Sequence, residues 1–127
     1  MAKRRVVITG MGMLSPVGNS VASSWEAIQA GRSGIGMIDR FDASAYNTRI
    51  GGAIRDLDME SYLSPKDARK LDAFIHYGLI AAQQAVDSSG LESFEKLDRE
   101  RVGIAIGSGI GGLEYIEKSV LTMDKSG

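Results

Sequence analysis

Apolar residues along this chain of 127 residues fall into two short continuous runs and several longer periodic segments. Residues 5–9 and 102–106 are rich in Val and Ile, and a glycine lies directly after the first run and after the second. Such runs predict two buried strands of a parallel sheet. Residues 49–55 could form a further short strand. Because helical patterns separate these segments, the order strand–helix–strand–helix indicates an α/β protein.

A first amphipathic helix is predicted to run to about Ala30. Ser20 or Asn19 can cap its first turn, and Gly31 can stop it. Its expected apolar face comprises Val21, Trp25 and Ile28, and we interpret Trp25 as a core residue. Residues 32–48 then follow an irregular pattern, in which we expect Ile35, Ile38 and Phe41 to point inward.

The longest periodic segment begins at Ser64 and Pro65 and is stopped by Gly90. A serine oxygen caps free N–H groups of a first helical turn, and proline at the first helical position sacrifices no hydrogen bond. Apolar residues then recur at three- and four-residue spacing. Several positions are small, which predicts close packing against another backbone: Gly78, Ala81, Ala82 and Ala85. A charged connector over residues 92–100 and a helix from about Leu113 complete the pattern.

Composition limits the chemistry that this chain can perform. The formal net charge is −1, which gives no electrostatic case for nucleic acid or for an anionic membrane. No apolar run approaches the roughly 20 residues that cross a bilayer, and we expect a cytoplasmic protein. There is no cysteine, which excludes a disulfide, a thiolate nucleophile and a zinc–thiolate site from this chain. His76 is the single histidine and is interpreted as structural or surface-exposed.

Three basic residues form the first candidate site. Lys66, Arg69 and Lys70 have the spacing i, i+3 and i+4, so on one helix they would share a face. Such a cluster is commonly a solvated surface, and the functional alternative is docking of an acidic partner. Asp39, Arg40 and Asp42 are interpreted as loop residues rather than as an acid–base pair.

The second candidate is a glycine-rich turn after the predicted strand 102–106. Gly107, Gly109 and Gly112 satisfy the spacing of the dinucleotide-binding fingerprint, which places a pyrophosphate at a helix N-terminus. That fingerprint also needs an acidic residue about 20 positions later, and the sequence ends before it. A tight turn of purely structural function is the favoured interpretation.

These motifs, in this order, closely resemble the amino-terminal sequence of β-ketoacyl-acyl-carrier-protein synthases. The match covers residues 3–18, continues through residues 25–35 and 41–46, and returns at residues 69–75, 87–91 and 102–112. The turn over residues 107–112 resembles the KAS II branch of that family, and the KAS I branch differs there.

The resemblance implies the amino-terminal part of a thiolase-like fold, five-layered (αβαβα) in the full subunit, with residues 1–127 forming the first part of the amino-terminal half. It implies a homodimer that elongates fatty acyl chains by decarboxylative Claisen condensation. The substrates would be carried on the phosphopantetheine arm of acyl carrier protein, with no other cofactor and no metal. The family's Cys-His-His set would lie beyond Gly127, so we expect the chain alone to be inactive and unstable.

The resemblance also implies roles for four residues. Ile110 corresponds to a residue that lines the end of the acyl pocket near the dimer interface, and Lys66, Arg69 and Lys70 correspond to the basic patch for acyl carrier protein. Two alternatives stay open: a non-catalytic partner subunit like a chain-length factor, and a nucleotide-binding reductase.

Overall fold

The computed structural model describes residues 3–91 and 97–126. These residues form four α-helices and one β-hairpin, and a 3₁₀ turn spans Arg99–Arg101. The elements are α1 (Val21–Gln29), β1 (Ile35–Met37), β2 (Ile50–Gly52), α2 (Pro65–Ala68), α3 (Ala73–Ser88) and α4 (Leu113–Ser126). Part of the predicted charged connector, residues 92–96, lies outside the described residues.

The predicted ends of α1 are confirmed. The Ser20 hydroxyl accepts a hydrogen bond from the Ser23 N–H at 3.1 Å, and the Ser20 N–H donates to the Ser23 hydroxyl at 3.0 Å. This reciprocal capping box satisfies two of the N–H groups that a helix start leaves without a partner. Gly31 follows the helix at a φ of 65°, a left-handed conformation that glycine adopts without a Cβ clash.

The prediction that Trp25 is a core residue is wrong, because Trp25 is 59% exposed. Helix α1 instead buries Ser24 and Ala27. Successive residues of a helix are about 100° apart, so Trp25 projects away from the face that Ser24 presents.

One of the two strands of the hairpin was predicted. Strand β2 lies within the predicted segment 49–55, and it pairs antiparallel with β1, with Ile35 opposite Gly52. The irregular pattern around β1 predicted no strand. Ile35 and Phe41 are exposed, contrary to their predicted inward position, because no further strand or helix of the described residues covers that side of the two-stranded hairpin.

The two predicted central strands are not formed. Residues 5–9 and 102–106 have no strand partner among the described residues. Val6 is 94% exposed and Ile104 is 87% exposed. A strand is defined by the ladder that it makes with a neighbour, so an apolar β-branched run stays unpaired and uncovered where that neighbour is missing.

The segment after the first run packs closely on α3, as the small residues of that helix predict. A Cβ built on Gly10 would lie 2.1 Å from the Ala85 carbonyl oxygen, and one on Gly12 would lie 1.9 Å from the Ala81 carbonyl oxygen. Only glycine therefore fits at either position. The approach is fixed by hydrogen bonds: Met11 donates its N–H to the Ser88 hydroxyl at 2.9 Å.

The same segment contacts the hairpin and α1 on its other side. Pro16 packs against Gly34 and Gly52: a Cβ built on either glycine would lie 2.8 Å or less from an atom of Pro16. Ser24 donates its hydroxyl hydrogen to the Gly18 carbonyl at 3.1 Å. Residues 10–19 thus join α1, the hairpin and α3.

The buried core is small for the length of the chain. Among the described residues, its buried apolar members are Ala27, Ala43 and Ile80. The accessible surface is 10854 Å², whereas a compact monomer of this mass exposes about 6,600 Å². Large apolar side chains are exposed on both uncovered runs and on α4.

Candidate functional site

The predicted basic cluster does not lie on one continuous helix. Helix α2 ends at Ala68, Arg69 caps it, and α3 begins only at Ala73. Lys66 therefore lies within α2, whereas Lys70 lies in the turn between the two helices. The prediction of a single helical face is wrong, although all three basic side chains are exposed.

Two contacts explain why the helix stops. The Lys70 N–H donates to the Asp67 carbonyl at 3.0 Å, which closes α2 with a tighter turn. The Ala68 carbonyl then accepts a hydrogen bond from Nε2 of His76, 3.0 Å away, instead of from a backbone N–H of a continuing helix. Because a carbonyl can only accept, the His76 Nε2 atom carries the hydrogen. His76 is buried, so of its two predicted alternatives the surface-exposed one is wrong, and its ring bonds the backbone as the structural one expects.

Arg69 and Lys70 line a cavity of about 440 Å³ between the turn that follows α2, helix α3, the loops after β1 and β2, and the first two turns of α4. Arg69 is held by a hydrogen bond from its Nε to the Pro65 carbonyl at 3.0 Å. Lys66 is not among the lining residues. The lining residues are Arg40, Ile54, Leu57, Met59, Arg69, Lys70, Leu71, Asp72, Ala73, His76, Tyr77, Glu114, Tyr115 and Lys118.

Asp72 connects this cavity to α4. Its Oδ1 accepts a hydrogen bond from the Ala73 N–H at 2.7 Å, and its Oδ2 accepts from the Tyr115 N–H at 3.3 Å. A carboxylate at a helix N-terminus satisfies unpaired N–H groups and complements the helix dipole. This function of Asp72 cannot be predicted from the sequence, because its second contact is with a residue 43 positions away.

Ile110 lies in the turn that leads into α4, and it is 75% exposed. The Ser108 hydroxyl accepts a hydrogen bond from the Gly111 N–H at 3.1 Å, and Gly111 has a φ of 77°. A Cβ on Gly112 would lie 3.3 Å from the ring of Phe74. The turn is therefore seated on the first turn of α3, and the Ile110 side chain projects from it.

The geometry argues against a dinucleotide at this turn. A pyrophosphate would need the free N–H groups at the start of α4. The Asp72 carboxylate already occupies that place, with Oδ2 only 2.2 Å from a Cβ position on Gly112. Residues 102–106 before the turn also form no strand, which the dinucleotide-binding fingerprint requires. The turn therefore provides no dinucleotide site.

The loop carboxylates also act structurally. Asp39 forms an ion pair with Arg55 across the hairpin, and that hydrogen bond is the chief cause that lowers the pKa of the Asp39 carboxyl from its usual value. Asp42 accepts a hydrogen bond from the Ser44 N–H at 2.9 Å, which lowers its pKa as well. Both stay ionised at neutral pH, so neither is suited to act as a general base near pH 7.

Within residues 3–91 and 97–126, no three acidic or histidine side chains are grouped closely enough to hold a metal ion. In the same part of the chain, no helix has both the length and the apolar character needed to cross a membrane.

Solved structures define the class of fold. The chain superposes with a TM-score of 0.69 and 31% identity on a chain from a complex of a type II polyketide acyl-carrier protein with its ketosynthase, covering 95% of this chain and 32% of that one. It superposes with a TM-score of 0.71 and 25% identity on a ketosynthase/chain length factor, covering 97% and 31%. The fold is the α/β amino-terminal part of a thiolase-like ketosynthase, as predicted.

The chain belongs to the β-ketoacyl synthase family, whose N-terminal domain it matches over residues 3–127. It is 60% identical over 117 residues to 3-oxoacyl-[acyl-carrier-protein] synthase 2 of Vibrio harveyi, and 48% identical over 127 residues to the protein of that name from Coxiella burnetii. These alignments cover 92% and 100% of this chain but 28% and 30% of the relatives. The chain thus spans less than a third of their length, and the predicted resemblance to the KAS II branch is confirmed.

Proposed function

We propose that the protein represented by this chain is a 3-oxoacyl-acyl-carrier-protein synthase of type II, which elongates fatty acyl chains. The observation that carries the proposal is the 60% identity with a synthase of that name over 92% of the chain. The reaction would be a decarboxylative Claisen condensation, and this chain would contribute surfaces for partner and substrate rather than reacting groups.

The proposed reaction needs groups that this chain does not contain. An acyl group would pass from carrier protein to an active-site cysteine as a thioester. Malonyl-carrier protein would then lose CO₂, and its carbanion would attack the thioester carbonyl and expel the thiolate. This chain has no cysteine and one histidine, which is engaged with Ala68, so the Cys-His-His set would come from outside it. We propose no resident cofactor, since both acyl groups arrive on the phosphopantetheine arm.

Lys66, Arg69 and Lys70 are proposed to bind acyl carrier protein. All three are exposed, and they lie on α2 and on the turn that follows it. Acyl carrier protein is acidic, and clustered charges of opposite sign raise the rate of encounter. A related ketosynthase is known in complex with its acyl-carrier protein.

Ile110 is proposed to limit how far an acyl chain extends. Its side chain is apolar, β-branched and exposed at the end of a turn that Gly111 and the Asp72 contact hold rigid. Exposed apolar surface continues along α4, which is compatible with burial of this region against a second subunit. The homodimer and the cytoplasmic location remain predictions.

The activity is tested with the full-length protein. Incubation with labelled acyl-carrier protein and malonyl-carrier protein should release CO₂ and yield a 3-oxoacyl product, and alkylation of one reactive cysteine should abolish formation of that product. A protein that neither becomes acylated nor condenses, yet associates with a ketosynthase, would instead be a partner subunit. That second candidate is favoured by the likeness to a ketosynthase/chain length factor.

The docking surface has its own test. Lys66→Glu combined with Arg69→Glu in the full-length protein should weaken carrier-protein binding at low salt roughly tenfold or more, because two attractive charges become repulsive. Lys3→Glu combined with Arg4→Glu changes the same charges at another exposed site and should leave the affinity near its original value. Equal affinity of both double variants would contradict this docking site.

A further inference from the structure

The cavity beside the basic cluster contains two cationic residues that sequence analysis did not connect with it. Arg40 comes from the loop after β1, and Lys118 comes from the second turn of α4. They lie around the same space as Arg69 and Lys70, although the four residues span 79 positions of the sequence. Folding thus builds a cationic site from three separate segments.

The two carboxylates of this cavity are already engaged. Both oxygens of Asp72 accept backbone hydrogen bonds. Glu114 lies 3.5 Å from the Arg40 guanidinium through its Oε2. Although Glu114 lies one turn before Lys118 on α4, Lys118 has no carboxylate within 4.0 Å among the described residues, and the same is true of Lys70. The cavity therefore has two more cationic than anionic side chains, and its lysines are available to a ligand.

We propose that this cavity receives a carboxylate side chain of the acidic carrier protein, so that Lys118 and Arg40 extend the docking surface beyond the three predicted residues. This inference rests on the proposed function. The occupant is an oxyanion, because lysine and arginine side chains point to negative charge. A protein carboxylate is favoured over a free anion because Arg69 and Lys70 belong to both the cavity and the proposed carrier-binding cluster.

Lys118 provides the sharper test of the two added residues. Arg40 pairs with Glu114, so its replacement would also disturb a contact within the protein. The Lys118 ammonium has no ion pair among the described residues, and the residue is exposed, so its replacement changes charge with little effect on packing. Lys125 lies two turns further along the same helix and is also exposed, but it does not line this cavity. It is the matched control.

The experiment measures binding of acyl carrier protein to the full-length protein with Lys118→Glu, Lys125→Glu and the Lys66→Glu, Arg69→Glu double variant. We expect Lys118→Glu to raise the Kd roughly three- to tenfold at low salt and Lys125→Glu to change it less than twofold. The increase in Kd caused by Lys118→Glu should disappear near 0.5 M salt, because the Debye length there is on the order of 4 Å.

Each outcome separates this inference from the proposed function. If only the double variant weakens binding, the carrier docks on the predicted cluster and the cavity is not part of the interface. If Lys118→Glu and Lys125→Glu weaken binding equally, the effect is general attraction and the inference is overturned. If no variant changes the affinity, the docking proposal fails as well. A further control measures binding of inorganic phosphate. If Lys118→Glu weakens phosphate binding and phosphate does not compete with the carrier protein, the cavity is a small-anion site and the inference is overturned.

Discussion

The carboxylate of Asp72 lies between two helix starts, 2.7 Å from the Ala73 N–H through Oδ1 and 3.3 Å from the Tyr115 N–H through Oδ2. One side chain thus caps α3 and α4, whose first residues are 40 positions apart. The glycine-rich turn with Ile110 leads directly into α4, and the basic residues Arg69 and Lys70 lie three and two positions before Asp72. The positions of both proposed functional regions depend on this contact.

Replacement of Asp72 should loosen both helix starts. Asp72→Ala in the full-length protein should lower the free energy of unfolding by about 1–2 kcal/mol, because it removes two charge-assisted caps. Urea denaturation followed by circular dichroism measures the change. Asp124→Ala removes a carboxylate near the end of α4, where it caps no helix start, and should not destabilise the protein. A destabilisation as large as that of Asp72→Ala would refute the double cap.

Gly12 should tolerate no side chain. Gly12→Ala would place a Cβ 1.9 Å from the Ala81 carbonyl oxygen, so the segment must move away from α3. We expect a loss of at least about 3 kcal/mol of stability or failure to fold. Gly36→Ala is the control, since the nearest atom to its Cβ would be 3.9 Å away, and it should shift the melting temperature little. Similar melting temperatures for the two variants would contradict the close packing.

Ile110→Phe should shorten the acyl chains that the full-length enzyme accepts. A phenyl ring is longer than the sec-butyl group that it replaces, and one misplaced carbon in an apolar pocket changes kcat/KM roughly tenfold or more. The loss should be confined to the longest acyl-carrier substrates in a series of increasing length. Ile110→Val should keep the original preference. A uniform loss over all lengths would indicate a structural effect rather than a pocket wall.

The ion pair of Asp39 with Arg55 should give stability that depends on pH. The Arg55 hydrogen bond lowers the folded-state pKa of Asp39 below its ordinary value of 3.8, so folding favours the ionised carboxylate. The contribution is therefore present above the unfolded-state pKa and is lost as the pH falls through the lower folded-state pKa.

Denaturation of the wild type and of Asp39→Asn between pH 2 and pH 7 measures this contribution. The variant should be less stable near neutral pH, and the two curves should converge at the acid end. Arg55→Gln should give the same convergence, and the double variant should lose little more than either single one. A difference that persists unchanged to pH 2 would contradict the assignment.

Local chemistry made several features of this fold predictable. The caps at Ser20 and Ser64 and the stops at Gly31 and Gly90 depend on groups within one turn of each residue, and all four are confirmed. The family match likewise gave the α/β class, because the order of motifs extends over nearly the whole chain.

Features that depend on distant residues were not predictable. The break after Ala68 depends on the His76 side chain, which bonds the Ala68 carbonyl from eight positions away, so the periodic pattern alone predicts one long helix there. Arg40 and Lys118 reach the basic cavity only through the folded arrangement of separate segments. The runs at residues 5–9 and 102–106 have the composition of strands, but composition does not provide the neighbour that pairs with them.

The contact of Gly10 and Gly12 with α3 also determines which side chains of the preceding run, residues 5–9, lie on the same side as α3. Two residues that are two positions apart both face the helix, which is the alternation of an extended chain. Continued backwards, this alternation would place Val6 and Ile8 on the same side of the run as Gly10 and Gly12 and Val7 on the opposite side, with all three side chains exposed. The glycine contacts therefore determine which side chains of this run lie on each face of a strand. A shift of this run by one residue against a paired strand would reverse those faces and would require breaking the glycine contacts.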